Sequence, residues 1–213
     1  KYYNFFVNNV SGIFNLFGMT VRLPYSEILL PIGISFYTFQ TMCYSIDIYR
    51  KKIPAVKSLS DYFLYVMFFP QLVAGPIMRP DQLLPQINKL REINLRKINY
   101  EYYFFILMRG FVKKIMIADN LSIFVDKIFV INPNADAVQT IIGVICFAFQ
   151  IYCDFSGYCD IAFGASGILG IELSVNFNFP YCSKSITEFW RRWHVSLSNW
   201  LRDYLYIPMG GSK

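Results

Sequence analysis

Apolar and polar positions fall in long blocks along this chain, and the block lengths predict helices that cross a bilayer. The run "ILLPIGISFYTFQTMCYSI" at 28–46 carries no charge and is long enough to span a hydrocarbon core of ~30 Å, with Pro31 and Gly33 kinking or delaying its start. A second uncharged run, "AVQTIIGVICFAFQIYC" at 137–153, is bounded by Asp136 and Asp154. The next, 155–171, is apolar except for Asp160 and sets Ala162, Ser166 and Gly170 four residues apart, a small-residue stripe that admits a close helix neighbour.

Two blocks break the pattern. Residues 62–78, "YFLYVMFFPQLVAGPIM", are uncharged but contain Pro70, Gly75 and Pro76, and basic residues crowd both flanks. If basic loops stay on the cytoplasmic side, such a run enters and leaves on one face, as a re-entrant or broken helix whose freed backbone lies against protein or a wet cavity. Residues 102–131 are apolar but interrupted by Arg109, Lys113 and Lys114, which fits a tilted span or an interfacial helix. The charged stretch 79–101 reads as a helical cytoplasmic connection.

Composition supports the bilayer as solvent: 55% of residues are hydrophobic, 19% aromatic and only 16% charged. The fold expected is an all-α, polytopic membrane protein. The net charge of +6 comes from short loops between apolar blocks, so positive-inside topology explains it better than nucleic acid does. Five cysteines, Cys43, Cys146, Cys153, Cys159 and Cys182, are odd in number and sit mostly among apolar neighbours, which argues for packing rather than a disulfide framework. "CDFSGYCD" lacks the spacing of a zinc site, and no metal is expected. The chain begins at Lys1 and stops at Lys213 without a cap or tail, so residues 1–213 are expected to be one partial domain with truncated termini.

Chemistry concentrates in "TEFWRRWHVSLSNWLRDYLYIP" at 187–208, which holds the only histidine and all three tryptophans. Ser185 and Glu188 have capping-box form, so a helix should start near Ile186 and run to about Tyr206, before Pro208 and Gly210. On that helix His194 shares a face with Trp190, Arg191, Leu197 and Ser198. A neutral imidazole suits removal of a proton from a hydroxyl near pH 7, and it equally suits an orienting or packing role. Arg191 and its neighbours would hold anionic groups, or pair with Glu188 and Asp203. Asp154 and Asp160 point in roughly opposite directions on an ideal helix; as intramembrane carboxylates they are site candidates, although pairing with Arg109, Lys113 or Arg191 is the favoured role. Gln71, beside the proline–glycine break, lines a tunnel if the segment is re-entrant. Asn176 and Asn178 precede "FPY" and read as a polar turn.

The segment "FWRRWHVSLSNWLRDYLYIPMGG" (189–211) closely resembles the membrane-bound O-acyltransferase family, in the bacterial branch that contains alginate O-acetyltransferases and the D-alanyl transferase of teichoic acids. Three further stretches match in family order: "PIGISFYTFQTMCYSIDIYR" (31–50), "FFPQLVAGPIMRPDQLLPQI" (68–87) and "DFSGYCDIAFGASGILGIELSVNFNFPY" (154–181). "PQLVAGPI" followed by "LLPQ" looks more like the alginate branch. The resemblance implies a multi-pass enzyme of the bacterial inner membrane, in contact with lipid. It would carry an acyl group from a cytoplasmic donor, acetyl-CoA or an acyl carrier, through a tunnel toward an exported polysaccharide or an extracytoplasmic acyltransferase partner. No bound cofactor is implied, and no phosphate-cradling glycine loop is present. His194 matches one of the family's two characteristic histidines; the other, in a later tryptophan–histidine–glycine motif, is expected beyond Lys213. The alternatives are D-alanyl transfer to teichoic acid and a non-catalytic scaffold or transport subunit.

Overall fold

The computed structural model describes residues 2–16, 18, 33–73, 75–132 and 135–212. Every regular element among them is helical. Residues 1–34 and 35–213 form two compact units. The first holds helix α1, Tyr2–Leu16, in which Asn9 Nδ2 donates to the Phe5 carbonyl at 2.8 Å.

The second unit begins one residue into α2, which covers Ile34–Tyr49 directly after Gly33 at φ +78°. Residues 28–32, and with them Pro31, lie outside the described residues. The helix runs past the expected end at residue 46 because Asp47 is accommodated inside the protein. There it accepts a 2.6 Å hydrogen bond from Tyr204 Oη, with Lys52 Nζ 3.8 Å away. One turn earlier Trp200 Nε1 donates to Cys43 Sγ at 2.7 Å. Two (i, i+4) pairs, Cys43/Asp47 and Trp200/Tyr204, thus join one face of α2 to the C-terminal segment.

Helix α3, Leu59–Val66, is capped by Ser58 and stops where the sequence predicts a break. A single 3₁₀ turn at Phe69–Gln71 follows, then irregular backbone to Arg79, and α4 spans Pro80–Asn88 with proline at its first position. The irregular stretch is held by hydrogen bonds from other elements. Ile77 N–H donates to Ser196 Oγ at 3.0 Å, and the Arg79 guanidinium reaches the Asn199 carbonyl at 3.2 Å and the Asp203 carboxylate.

Residues 100–131 form one continuous helical rod: α5 (Tyr100–Phe111), a π-helical stretch at Val112–Ala118, α6 (Asp119–Asp126) and a second π-helical stretch at Lys127–Ile131. Helix α7, Ala137–Ile168, returns antiparallel to it. The two uncharged or nearly uncharged runs expected as separate helices are one helix here, because neither Asp154 nor Gly157 needs to end it. Asp154 pairs with Lys114 at 2.5 Å, and Gly157 lets Gly110 of the rod approach. At 32 residues the helix is about 48 Å long at 1.5 Å per residue. It is the one helix among the described residues long and apolar enough to cross a membrane, and Val138, Ile141, Ile142, Val144, Ile145, Phe147 and Phe149 are exposed on it.

The C-terminal half of α7 meets the core. Ala162 packs with Tyr65, Phe68, Met78, Leu83, Leu84, Ile87, Ile171 and Leu173. Gly170, at φ +80°, closes α7 with a Schellman motif: its N–H donates to the Gly167 carbonyl and that of Ile171 to the Ser166 carbonyl, both at 3.0 Å.

Candidate functional site

The arginine–tryptophan segment is two short helices, and the turn between them is the center of the site. α8 starts at Ile186, as the capping pattern predicts, with Ser185 Oγ accepting from the Glu188 N–H at 3.1 Å. The reciprocal contact goes one residue further back, to the Lys184 N–H. α8 ends at Arg192, and α9 covers Val195–Trp200 before π-helical turns to Tyr206. The expected unbroken helix to Tyr206 is therefore corrected. His194 sits between α8 and α9 at φ 44°, ψ 54°, a left-handed conformation that L-residues other than glycine and asparagine seldom take.

What breaks the helix comes from residues 176–178. Asn178 N–H donates to the Arg192 carbonyl, and Val195 N–H donates to the Asn176 carbonyl, each at 3.0 Å. Asn176 Oδ1 accepts from the Ser196 N–H at 3.0 Å and lies 3.3 Å from His194 Nδ1. These bonds satisfy groups that a continued helix would have paired internally. The imidazole also stands edge-on to Phe155 of α7, centroids 4.7 Å apart at 87°. Trp193, on the other side of the turn, stacks on Phe189 and meets Phe177 edge-on. Burial among these rings pushes the His194 pKa down to about 4, so the imidazole is neutral at pH 7.

The other expected site residues do not gather at one point. Trp190 is exposed and touches Phe189 edge-on; Arg191 is exposed too. Ser198 turns away from the imidazole, its Oγ 3.2 Å from the Trp190 carbonyl and 3.4 Å from that of Trp193, where it caps the end of α8. Gln71 is buried and donates to the Tyr65 carbonyl at 3.3 Å. Glu188 pairs with Arg192, and Asp203 with Arg79 and Arg202, so neither takes Arg191. Asp160 has the expected partners: Arg109 binds both carboxylate oxygens, at 3.0 and 2.8 Å, and Lys113 binds one at 2.7 Å. For Asp154 the expected partners give way to Lys114, because π-helical turns widen the rod where the lysines lie and carry successive side chains to successive carboxylates.

A cavity of about 280 Å³ opens between α5, α7 and residues 174–179. Arg109, Lys113, Asp160, Tyr152 and Ser156 line it, and Asn176 and Phe177 form the wall on the side of His194. Neither Gln71, Arg191, Trp190 nor Ser198 reaches it. Among the described residues no group of three histidine, cysteine or acidic side chains converges as a metal site would require.

The left-handed turn gives a direct test. His194→Gly is expected to be more thermally stable than His194→Ala by about 1–2 kcal/mol, since both lose the imidazole but only alanine keeps the left-handed cost. Thermal unfolding of the detergent-extracted proteins measures it; equal stabilities would contradict the turn.

The family model for the membrane-bound O-acyltransferases matches residues 49–213, which include the broken segment, the rod, α7 and the histidine turn. The whole chain is 46% identical over 213 residues to a protein of Pseudomonas aeruginosa named "Probable alginate O-acetylase AlgI", covering 40% of that protein. It is 37% identical over 237 residues to the peptidoglycan O-acetyltransferase of Helicobacter pylori, covering 44%. With the teichoic acid D-alanyltransferase of Bacillus subtilis it shares 29% identity over 189 residues, 86% of this chain and 47% of that one. The chain thus spans less than half the length of these relatives. By the match over residues 49–213, this chain belongs to the membrane-bound O-acyltransferase family.

Proposed function

We propose that the full-length protein is an O-acetyltransferase of the bacterial inner membrane. It takes acetyl groups from a cytoplasmic donor, acetyl-CoA or an acyl carrier, and passes them across the bilayer toward hydroxyls of an exported polysaccharide such as alginate, directly or through an extracytoplasmic acyltransferase partner. The observation that carries this reading is the half-buried His194 held in a left-handed turn inside the family's arginine–tryptophan motif. Backbone strain of this kind costs about 1–3 kcal/mol and concentrates at functional sites. Acetyl is favoured over D-alanyl because the relatives named for O-acetyl transfer are 46% and 37% identical, against 29% for the D-alanyltransferase.

In this proposal residues 1–213 belong to one multi-pass domain. α7 crosses the membrane, and its uncharged part, 137–153, supplies about 26 Å of apolar length. The broken segment 67–79 is a re-entrant stretch tied to α9 by the Ile77 N–H on Ser196 Oγ and the Arg79 guanidinium on the Asn199 carbonyl. His194 acts as a base or orients one; Asp160 and Asp154 hold the rod against α7; Trp190 and Arg191, both exposed, contact the donor or the remainder of the protein. Ser198 and Gln71 keep structural roles.

The test supplies membranes containing the full-length protein with labelled acetyl-CoA, an acetylated carrier or a D-alanyl carrier, and follows label into extracytoplasmic polysaccharide. Acetyl label in the polymer is the expected result. Label arriving only from the D-alanyl carrier assigns the protein to teichoic-acid modification and overturns the acetyl assignment.

A further inference from the structure

We infer that Asn176 is a positioning residue: its side-chain oxygen fixes which nitrogen of His194 carries the proton, leaving Nε2 as the proton-accepting atom. This inference rests on the proposal that His194 serves acyl transfer.

The atom assignment follows from the neighbours. The Ser196 main-chain N–H can only donate, so the Asn176 atom 3.0 Å from it is the oxygen. That same oxygen lies 3.3 Å from His194 Nδ1, and an acceptor facing a ring nitrogen requires that nitrogen to be the N–H. The Nδ1–H tautomer follows, with the lone pair on Nε2. Asn176 is itself immobilised: its carbonyl accepts from Val195 N–H, its Nδ2 lies 3.5 Å from Cys159 Sγ, and it is 2% exposed. One side chain therefore satisfies an otherwise unpaired amide at the start of α9 and orients the imidazole.

No charge competes for this role. From α7, Asp154 and Asp160 are held by Lys114 and by Arg109 with Lys113, and Cys159 Sγ lies 3.5 Å from Asn176 Nδ2; on α8, Arg192 is held by Glu188 and Arg191 is exposed. Burial alone depresses the imidazole's basicity. A neutral amide acceptor keeps it so, where a carboxylate in the same place would raise it.

The test compares acetyl transfer by the full-length protein in membranes for wild type, Asn176→Asp, Asn176→Ser, His194→Ala and the Asn176→Ser/His194→Ala double variant. Asn176→Asp keeps the acceptor but adds a charge, so the acid limb of its pH–rate profile should move up by at least one pH unit; an unmoved limb overturns the proposal. Asn176→Ser withdraws the acceptor and should cost at least tenfold, but no more than about threefold when His194 is already alanine, since it acts through the ring. Equal losses in both backgrounds would show a merely structural role, and this arm decides if the aspartate variant fails to accumulate. If His194→Ala alone transfers acetyl normally, the underlying reading of His194 fails and the role of Asn176 with it.

Discussion

His194→Ala in the full-length protein is expected to lower acetyl transfer at least tenfold at pH 7, with protein levels in the membrane unchanged. A positioned base contributes roughly 10²–10⁴-fold, and the lower bound allows for the second histidine that the family resemblance places beyond Lys213. The ring is not a packing group of the usual kind. It occupies a turn that glycine would fill at lower strain, and the Asn176 side-chain oxygen lies 3.3 Å from its Nδ1. The pH dependence has a definite sign. Burial lowers the folded-state pKa from 6.5 to about 4, so at pH 7 the folded protein already holds the proton-accepting form, and this form is lost only as pH falls toward 4. Between pH 6.5 and 4 the unfolded chain binds a proton that the folded chain does not, so folding stability declines through that window and is unaffected by this group above it. The acid limb due to His194 should therefore lie well below the ordinary imidazole range. Transfer by the alanine variant at the wild-type rate would instead favour a scaffold or transport subunit.

The sequence carried much of this arrangement, but unevenly. Proline, glycine and capping residues act through local chemistry, so the interruption after Val66 and the start of α8 after Ser185 could both be read from neighbours a few residues away. Charges mark the ends of apolar runs less reliably. Asp154 looked like the limit of one span and Asp47 lay just beyond another, yet both sit inside helices because Lys114 and Tyr204 meet them from elsewhere in the chain. The turn at His194 was illegible for a related reason. "WRRWHVSLSNW" has no glycine or proline, and the helix is interrupted by hydrogen bonds from Asn176 and Asn178, which the sequence presented only as a polar turn. The signal for them was the pair of asparagines in "VNFNFP", where an amide among apolar neighbours must find partners.

The expected loss is just as large, though structural, for Gly164→Leu, which should separate α7 from α5. Gly164 and Gly157 lie seven residues apart on α7, and Tyr103 and Gly110 seven apart on α5, so the antiparallel helices meet along one small-residue seam. A Cβ at Gly164 would stand 2.7 Å from the Tyr103 carbonyl oxygen, and one at Gly157 would stand 3.0 Å from that of Gly110. Those obstacles are backbone, so no rotamer change relieves them and the helices must move apart. Overpacking of this kind costs about 1–3 kcal/mol for small insertions, and leucine adds three more carbons to the same gap. Separation would also draw Arg109 and Lys113 away from Asp160, leaving the carboxylate beside the cavity without its cations. Thermal unfolding of the detergent-extracted full-length proteins should rank wild type above Gly164→Ala, with Gly164→Leu lowest. A leucine variant as stable as wild type would mean that the seam does not hold the rod against α7, and the cavity beside His194 would then lack its structural basis.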